Sequence, residues 1–82
     1  MTPPSYQDAT ASLLALQQHL HDLNQPLTAI GNYAHAGQQL AALDSPDIAR
    51  LQSIFDKIVT QHERACQLAR LTTDAISKVT TS

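Results

Sequence analysis

The chain has 82 residues and a mass of 8.9 kDa, which is one small domain, below the size at which a single core comfortably stabilises a monomer. Hydrophobic residues make up 43% of it but aromatic residues only 4%, and with two glycines, four prolines and no tryptophan this composition favours long helices over a sheet sandwich. The net charge is −2 and the five basic residues are scattered through the second half, which argues against a nucleic-acid surface.

The first predicted helix begins near Tyr6 and ends near Leu43. Ser5 and Asp8 have the spacing of a capping box, behind an extended TPP segment. Beyond them, apolar and small residues alternate at spacings of three and four, as the seam of a coiled coil requires. The residues of this seam are Leu13, Leu16, Leu20, Leu23, Leu27, Ile30, Ala34, Gly37 and Ala41. The seam continues across Pro26, although a proline inside a helix costs on the order of 3 kcal/mol.

The break between the helices is the segment ALDSPDIA. Ser45 suits an N-cap, Pro46 suits the first helical position, and Asp47 places negative charge at the positive end of the helix dipole. The pattern predicts a turn over 44–46 and a second helix over about 46–78. Its seam comprises Ile48, Leu51, Phe55, Ile58, His62, Ala65, Ala69, Thr72, Ile76 and Val79.

Each helix therefore carries a broad apolar stripe and would be ~50 Å long at 1.5 Å per residue. A turn this short makes the two helices antiparallel neighbours. Two helices alone cannot cover both stripes. We therefore predict an all-α fold in which residues 1–82 form one antiparallel helical hairpin, and two hairpins associate as a homodimeric four-helix bundle.

The cellular setting is predicted from what the sequence lacks. The single Cys66 cannot form an internal disulfide, and the segment MTPPSYQDATAS has neither the basic end nor the apolar run of a signal peptide. No apolar run approaches the ~20 residues of a membrane span. We expect a cytoplasmic chain without membrane contact, with Cys66 packed as a small buried hydrophobe beside the second stripe.

The segment HLHDLNQPLTAIGNYAH concentrates polar residues around the internal proline. If Leu20 and Leu23 lie on the seam, His21 points toward solvent, and Gln25 shares its face because it lies four residues later. Pro26 has no N–H, so the carbonyl of Asp22 loses its helical hydrogen bond. We expect the helix to bend at this turn.

The residues HDLNQPLTAI resemble the H-box of the sensor histidine kinases of two-component signalling, which reads His, an acidic residue, two residues, a small polar residue and Pro-Leu. The sequence LNQPL with NYA after it is similar to the sensor kinases of nitrogen fixation and dicarboxylate uptake, and DKIVTQHERACQLARL resembles their second helix. The resemblance covers roughly residues 12–72. It implies a dimerisation and histidine-phosphotransfer (HisKA-type) domain.

The resemblance also implies a role for each residue of the motif. His21 would be the phosphoacceptor that attacks the γ-phosphate of ATP and then passes the phosphoryl group to an aspartate of a response regulator. Asp22 matches the acidic position, where a carboxylate can hydrogen-bond the imidazole and raise its nucleophilicity. Gln25 falls where family members often carry Thr or Asn to orient a water for dephosphorylation, and its longer side chain argues against that activity here.

Partners and cofactors are implied by the same resemblance. The Asn and Gly-rich boxes of an ATP-binding domain are missing, so we expect no cofactor in this chain, and ATP with Mg²⁺ on a separate catalytic domain. The chain would be part of a histidine kinase, inactive alone, whose partners are a second copy, that catalytic domain and a receiver domain. The alternative is an interaction module, an H-box hairpin that docks on a kinase or a regulator without catalysis.

The remaining histidines carry no such motif. His19 and His35 are expected on the surface, and His62 lies on the second seam as a bundle-interior or partly buried polar residue. No two histidines are three or four residues apart on one helix, so no metal site is expected.

Overall fold

The computed structural model describes residues 6–81, and the side chains of residues 10–78. The chain forms two helices, α1 (Tyr6–Ala41) and α2 (Ile48–Thr81), which pack along each other as an antiparallel hairpin. The Cα atoms span 69 × 16 × 12 Å and their radius of gyration is 19.1 Å, whereas a compact domain of this length would have about 12 Å. The predicted all-α hairpin is confirmed, and it is a single layer of two helices.

The connection between the helices is closed by local hydrogen bonds. The Ala42 N–H donates to the Gln38 carbonyl at 3.1 Å and the Leu43 N–H to the Leu40 carbonyl at 3.3 Å, which tightens the last turn of α1. At the start of α2, Asp47 is the N-cap. Its carboxylate accepts from the Arg50 N–H at 3.1 Å and its carbonyl from the Leu51 N–H at 3.0 Å.

The cap and the helix ends differ slightly from the sequence-based expectation. Asp47 caps α2 in place of Ser45, which puts Pro46 just before the helix instead of within it. The side-chain oxygen of an N-cap accepts from the N–H three residues later, and the segment DSPD contains three residues with such an oxygen, Asp44, Ser45 and Asp47. The predicted capping box at Ser5 lies outside the described residues.

Two contacts fix the register of the hairpin. A Cβ built on Gly37 would lie 3.6 Å from Ile54 Cγ2, and the Lys57 ammonium lies 5.7 Å from the centre of the Tyr33 ring, a cation–π distance.

Four residues of the described part are buried, namely Pro26, Gly37, Ala65 and Thr72. The narrow contact between the helices is therefore built largely from small side chains.

The predicted seams are divided between two directions in the structure. One half of each seam is buried or half-buried between the helices: Leu16, Leu23, Ile30 and Gly37 of α1, and Leu51, Ile58, Ala65 and Thr72 of α2. The other half remains largely open. Leu13, Leu20, Leu27, Ile48, Phe55 and Ile76 are between 46% and 60% exposed.

These open positions form one continuous surface. On each helix they lie about 50° to the same rotational side of the buried positions, and in an antiparallel pair that side is the same face of the hairpin. We name this surface the open face. It consists of Leu13, Leu20, Leu27, Ala34 and Ala41 of α1, and Ile48, Phe55, His62, the half-buried Ala69 and Ile76 of α2.

Two further expectations concern the burial of Cys66 and membrane-spanning helices. Cys66, expected to be buried, is exposed, because one neighbouring helix covers only a narrow stripe of α2 and Cys66 lies outside it. Over the described residues, neither helix has an apolar stretch long enough to cross a bilayer.

Replacing Gly37 by alanine is predicted to stabilise the hairpin, because the new methyl group would sit at ordinary van der Waals distance from Ile54. Glycine inside a helix costs roughly 0.5 to 1 kcal/mol relative to alanine. We expect a gain of that size in the free energy of unfolding, measured by urea titration at fixed protein concentration. Gly31→Ala, with nothing within 4 Å of its Cβ, should gain equally. A loss in Gly37→Ala alone would show that the helices need to approach more closely than the structure has them.

Candidate functional site

His21 points away from α2. At 3.6 residues per turn it lies roughly 140° around α1 from Pro26, which faces α2. His21 and Gln25 are exposed, as the sequence predicted, and with the exposed Asn24 and Thr28 they line an open groove of about 330 Å³. The imidazole is therefore accessible to a large partner approaching from outside the hairpin.

The imidazole of His21 has one neighbour with which it can hydrogen-bond. The Nε2 atom of His21 lies 3.4 Å from Nε2 of Gln25, so the amide donates to the ring when the ring proton is on Nδ1. This contact is longer than the usual 2.9 to 3.0 Å of an N–H donor. A long and exposed hydrogen bond is easily exchanged, so the lone pair of Nε2 can be released to react.

Asp22 lies beside His21 in sequence but on a different side of the helix. Consecutive residues are about 100° apart, and the half-buried Asp22 carboxylate accepts a hydrogen bond from Gln18 Nε2 at 2.8 Å. Within the described side chains, Asp22 and His21 do not hydrogen-bond each other. The structure thus brings His21 together with Gln25 and places Asp22 on Gln18.

Pro26 is the residue that anchors this turn to the other helix. It is less than 2% exposed and is the largest fully buried side chain of the described residues. α1 continues through it as one helix, yet the Asp22 carbonyl has no N–H four residues later to accept from. The turn is thus fixed by packing at its end and lacks one backbone hydrogen bond at its start.

A second histidine on α1 has the same local geometry. The Nε2 atom of His35 lies 3.4 Å from Nε2 of Gln39, also four residues later and also exposed. His35 differs from His21 in the residues after it: Ala36 stands where Asp22 would be, and Leu40 where Pro26 would be. The chain therefore contains a matched reference for the candidate site.

The other two histidines lie in different surroundings. His19 is half-buried, not fully on the surface, in a groove between the helices that Leu71 and Asp74 also line. His62 is exposed on the open face, and its Nε2 atom lies 3.6 Å from Sγ of Cys66. The sequence signal for this pair is the i, i+4 spacing of a His and a Cys, which histidine spacings alone do not reveal.

Known proteins resemble this chain over most of its length. It is 38% identical over 60 residues to the C4-dicarboxylate transport sensor protein DctS of Rhodobacter capsulatus, a match that covers 73% of this chain and 9% of that protein. It is 37% identical over 59 residues to the sensor protein FixL of Bradyrhizobium diazoefficiens, covering 71% of this chain and 12% of that one. The chain spans about a tenth of the length of these relatives.

The resemblance inferred from the H-box is thereby confirmed: the chain is homologous to a segment of the sensor histidine kinases of two-component signalling. No protein-family model matches the chain. No solved structure matches it significantly.

Pro26→Ala is predicted to stabilise the hairpin. The alanine N–H would donate to the Asp22 carbonyl and remove a helix penalty of about 3 kcal/mol, while the buried ring would lose about 1.5 kcal/mol of packing, at about 0.8 kcal/mol for each of two CH₂ groups. We expect a net gain of about 1 to 2 kcal/mol in the free energy of unfolding by urea titration.

The control for this substitution is Pro46→Ala, in the turn outside both helices, which should change the stability by less than Pro26→Ala does. A lower stability of Pro26→Ala would mean that packing of the ring outweighs the missing hydrogen bond.

Proposed function

We propose that this chain is the dimerisation and histidine-phosphotransfer segment of a sensor histidine kinase, with His21 as the phosphoacceptor. The observation that carries the proposal is the opposed placement of the motif residues, with His21 and Gln25 outward and Pro26 buried against α2. Homology to sensor proteins supports it. Each face of this turn then has its own task, since one binds partners and the other holds the hairpin together.

The proposed chemistry consists of two phosphoryl transfers at one ring nitrogen. The lone pair of His21 Nε2 forms an N–P bond to the γ-phosphorus of ATP as the bond to ADP breaks, and later that N–P bond breaks as a receiver aspartate oxygen binds the phosphorus. Such transfers depend mostly on positioning and charge stabilisation. An exposed imidazole suits them because two partners must reach it in turn, and the 3.4 Å contact with Gln25 must open each time.

Asp22 has a supporting role in this proposal. A carboxylate on Nδ1–H would orient the ring and raise the nucleophilicity of Nε2. To reach it, Asp22 must exchange Gln18 for His21. The missing hydrogen bond on the Asp22 carbonyl leaves this turn freer to make that exchange than an ordinary helical turn. The Gln25 amide can hold a water molecule, but its side chain is longer than the Thr or Asn that often stands at this position. We therefore do not propose that this segment dephosphorylates the regulator.

Dimerisation is the second part of the proposal. The open face runs along the whole hairpin, and fully burying each of its six large side chains from their half-exposed state contributes about 1 kcal/mol. A second copy of the same hairpin has a face of the same length and the same apolar character. Face-to-face association gives a four-helix bundle with a closed two-fold interface.

The remaining partners are set by the chemistry. Phosphorylation of His21 needs ATP and Mg²⁺ held by a separate ATP-binding domain, and dephosphorylation needs the receiver domain of a response regulator. Both partners act in the cytoplasm, where we place this segment.

His21→Ala is predicted to abolish phosphorylation. The full chain is incubated with the ATP-binding domain of a sensor histidine kinase and labelled ATP, and the label on the chain is quantified. We expect acid-labile, base-stable label on the native chain and at least a hundredfold less on His21→Ala, because the attacking nitrogen is gone. His35→Ala is the matched control, since His35 is also exposed and has the same 3.4 Å glutamine contact, and it should label normally.

Label that persists on His21→Ala would reject His21 as the acceptor. If the chain takes up no label yet binds a kinase or a receiver domain equally well with and without His21, the interaction module without catalysis is the function.

Leu20→Glu is predicted to dissociate the dimer, because it places a charge in the middle of an apolar contact. Sedimentation of the native chain should show a dimer at micromolar concentration, and Leu20→Glu should raise the dissociation constant at least a hundredfold. Leu14→Glu is the matched control: Leu14 is 60% exposed, against 54% for Leu20, but lies outside the open face. Equal effects of the two substitutions would contradict the proposed interface, and a native monomer would contradict the dimer.

A further inference from the structure

The pair of His62 and Cys66 has the spacing of a metal half-site. Both residues are exposed, they are four apart on α2, and Nε2 of His62 lies 3.6 Å from Sγ of Cys66. Residues at this spacing lie on one face of a helix and can bind one ion together, as the two histidines of a zinc-binding helix do.

The distance between the two atoms agrees with that of two ligands of one zinc ion. With Zn–N of about 2.0 Å, Zn–S of about 2.3 Å and a tetrahedral angle, a nitrogen and a sulfur on the same ion are about 3.5 Å apart. The observed 3.6 Å needs almost no rearrangement. A thiol hydrogen bond to the ring has a similar length, so the competing interpretation is a simple hydrogen bond.

One hairpin supplies too few ligands. Over the described residues, no group of three or more His, Cys, Asp or Glu side chains is arranged to hold a metal ion. Structural zinc is bound by four ligands, and Cys₂His₂ is one of its common sets. The missing two ligands must come from elsewhere, and a second His62–Cys66 pair would complete that set.

The position of His62 on the open face brings such a second pair to the same place. His62 is the middle one of the five open-face residues of α2, and Leu27 is the middle one of α1. A two-fold axis that lies in the interface and runs across the hairpin lays α2 of one copy against α2 of the other, and it brings the middle level of one face onto the middle level of the other. Both His62–Cys66 pairs then meet near the centre of the interface.

We propose that the dimer binds one Zn²⁺ ion between its two copies, through His62 and Cys66 of each. This inference rests on the dimer proposed above. Binding deprotonates two thiols and releases two protons, so two thiolates and two neutral imidazoles surround the ion and the site as a whole carries no net charge. A neutral site suits the middle of an apolar interface, where two protonated histidines would repel each other.

The site would regulate assembly. An ion that binds only when two copies are together stabilises the dimer by mass action. The register that Gly37 with Ile54 and Tyr33 with Lys57 define places His62 level with Thr28 and Ala29, roughly 11 Å along α1 from His21. Zinc would therefore tighten the middle of the interface, about two helical turns along α1 from His21.

The test is a titration of the reduced full chain with Zn²⁺ alone, with sedimentation measured in parallel in a chelator and in zinc. We expect one ion per two chains and a dimer dissociation constant at least tenfold lower in zinc. Cys66→Ser should abolish both the zinc binding and the zinc-dependent fall in the dissociation constant. His62→Ala should abolish the zinc-dependent fall in the dissociation constant. Replacement of zinc by Co²⁺ should give thiolate-to-cobalt absorption in the native chain and none in Cys66→Ser. His35→Ala, which removes another exposed histidine, should leave zinc binding unchanged.

Three outcomes would overturn the site. A dimer that takes up no zinc would leave the dimer standing and reject the ion. One ion per chain on a monomer would reject the bridging geometry, and zinc uptake that survives Cys66→Ser would mark an adventitious ion only. Failure of the dimer itself is detected separately, by sedimentation in chelator and by the Leu20→Glu and Leu14→Glu pair.

Discussion

The structure depends on one geometric constraint: each helix of the hairpin can bury only the narrow stripe that its single neighbour covers. α1 and α2 both carry apolar residues over a sector wider than that stripe. The buried part holds small residues such as Gly37 and Ala65, which let the helices lie close together. The remaining part is a face on which Leu20 and Phe55 are more than half exposed. A single hairpin therefore leaves a large part of its apolar surface in contact with water.

The turn at Pro26 shows how the same constraint positions the site. Burying the proline ring against α2 sets the rotation of α1, and that rotation points His21 outward. The same residue leaves the Asp22 carbonyl without its helical donor. Rigid placement and local freedom thus come from one side chain.

Much of this organisation could be predicted from the sequence, because heptad spacing fixes the helices and the outward direction of His21. The spacing could not say which half of the seam faces α2, since Leu16 and Leu20 fit a neighbour on either side equally well. Cys66 was expected to be buried because it lies beside the second stripe, but the one neighbouring helix does not cover it and the residue is exposed. The cap of α2 depended on a choice between Ser45 and Asp47 that only backbone geometry decides. The dimer and the roles of His21, Asp22 and Gln25 stay predictions.

The repeated pair of histidine and glutamine on α1 has a consequence for recognition. His21 with Gln25 and His35 with Gln39 present the same two side chains at the same separation, about 21 Å apart along the helix. A kinase or regulator that recognised only an exposed imidazole beside an amide would find two equivalent targets on every chain. The features that distinguish them are Asp22 and Pro26, which have Ala36 and Leu40 as counterparts. Under the proposed function, selection of His21 over His35 would therefore depend on Asp22 and on the turn at Pro26, because the imidazole and the amide are the same at both positions.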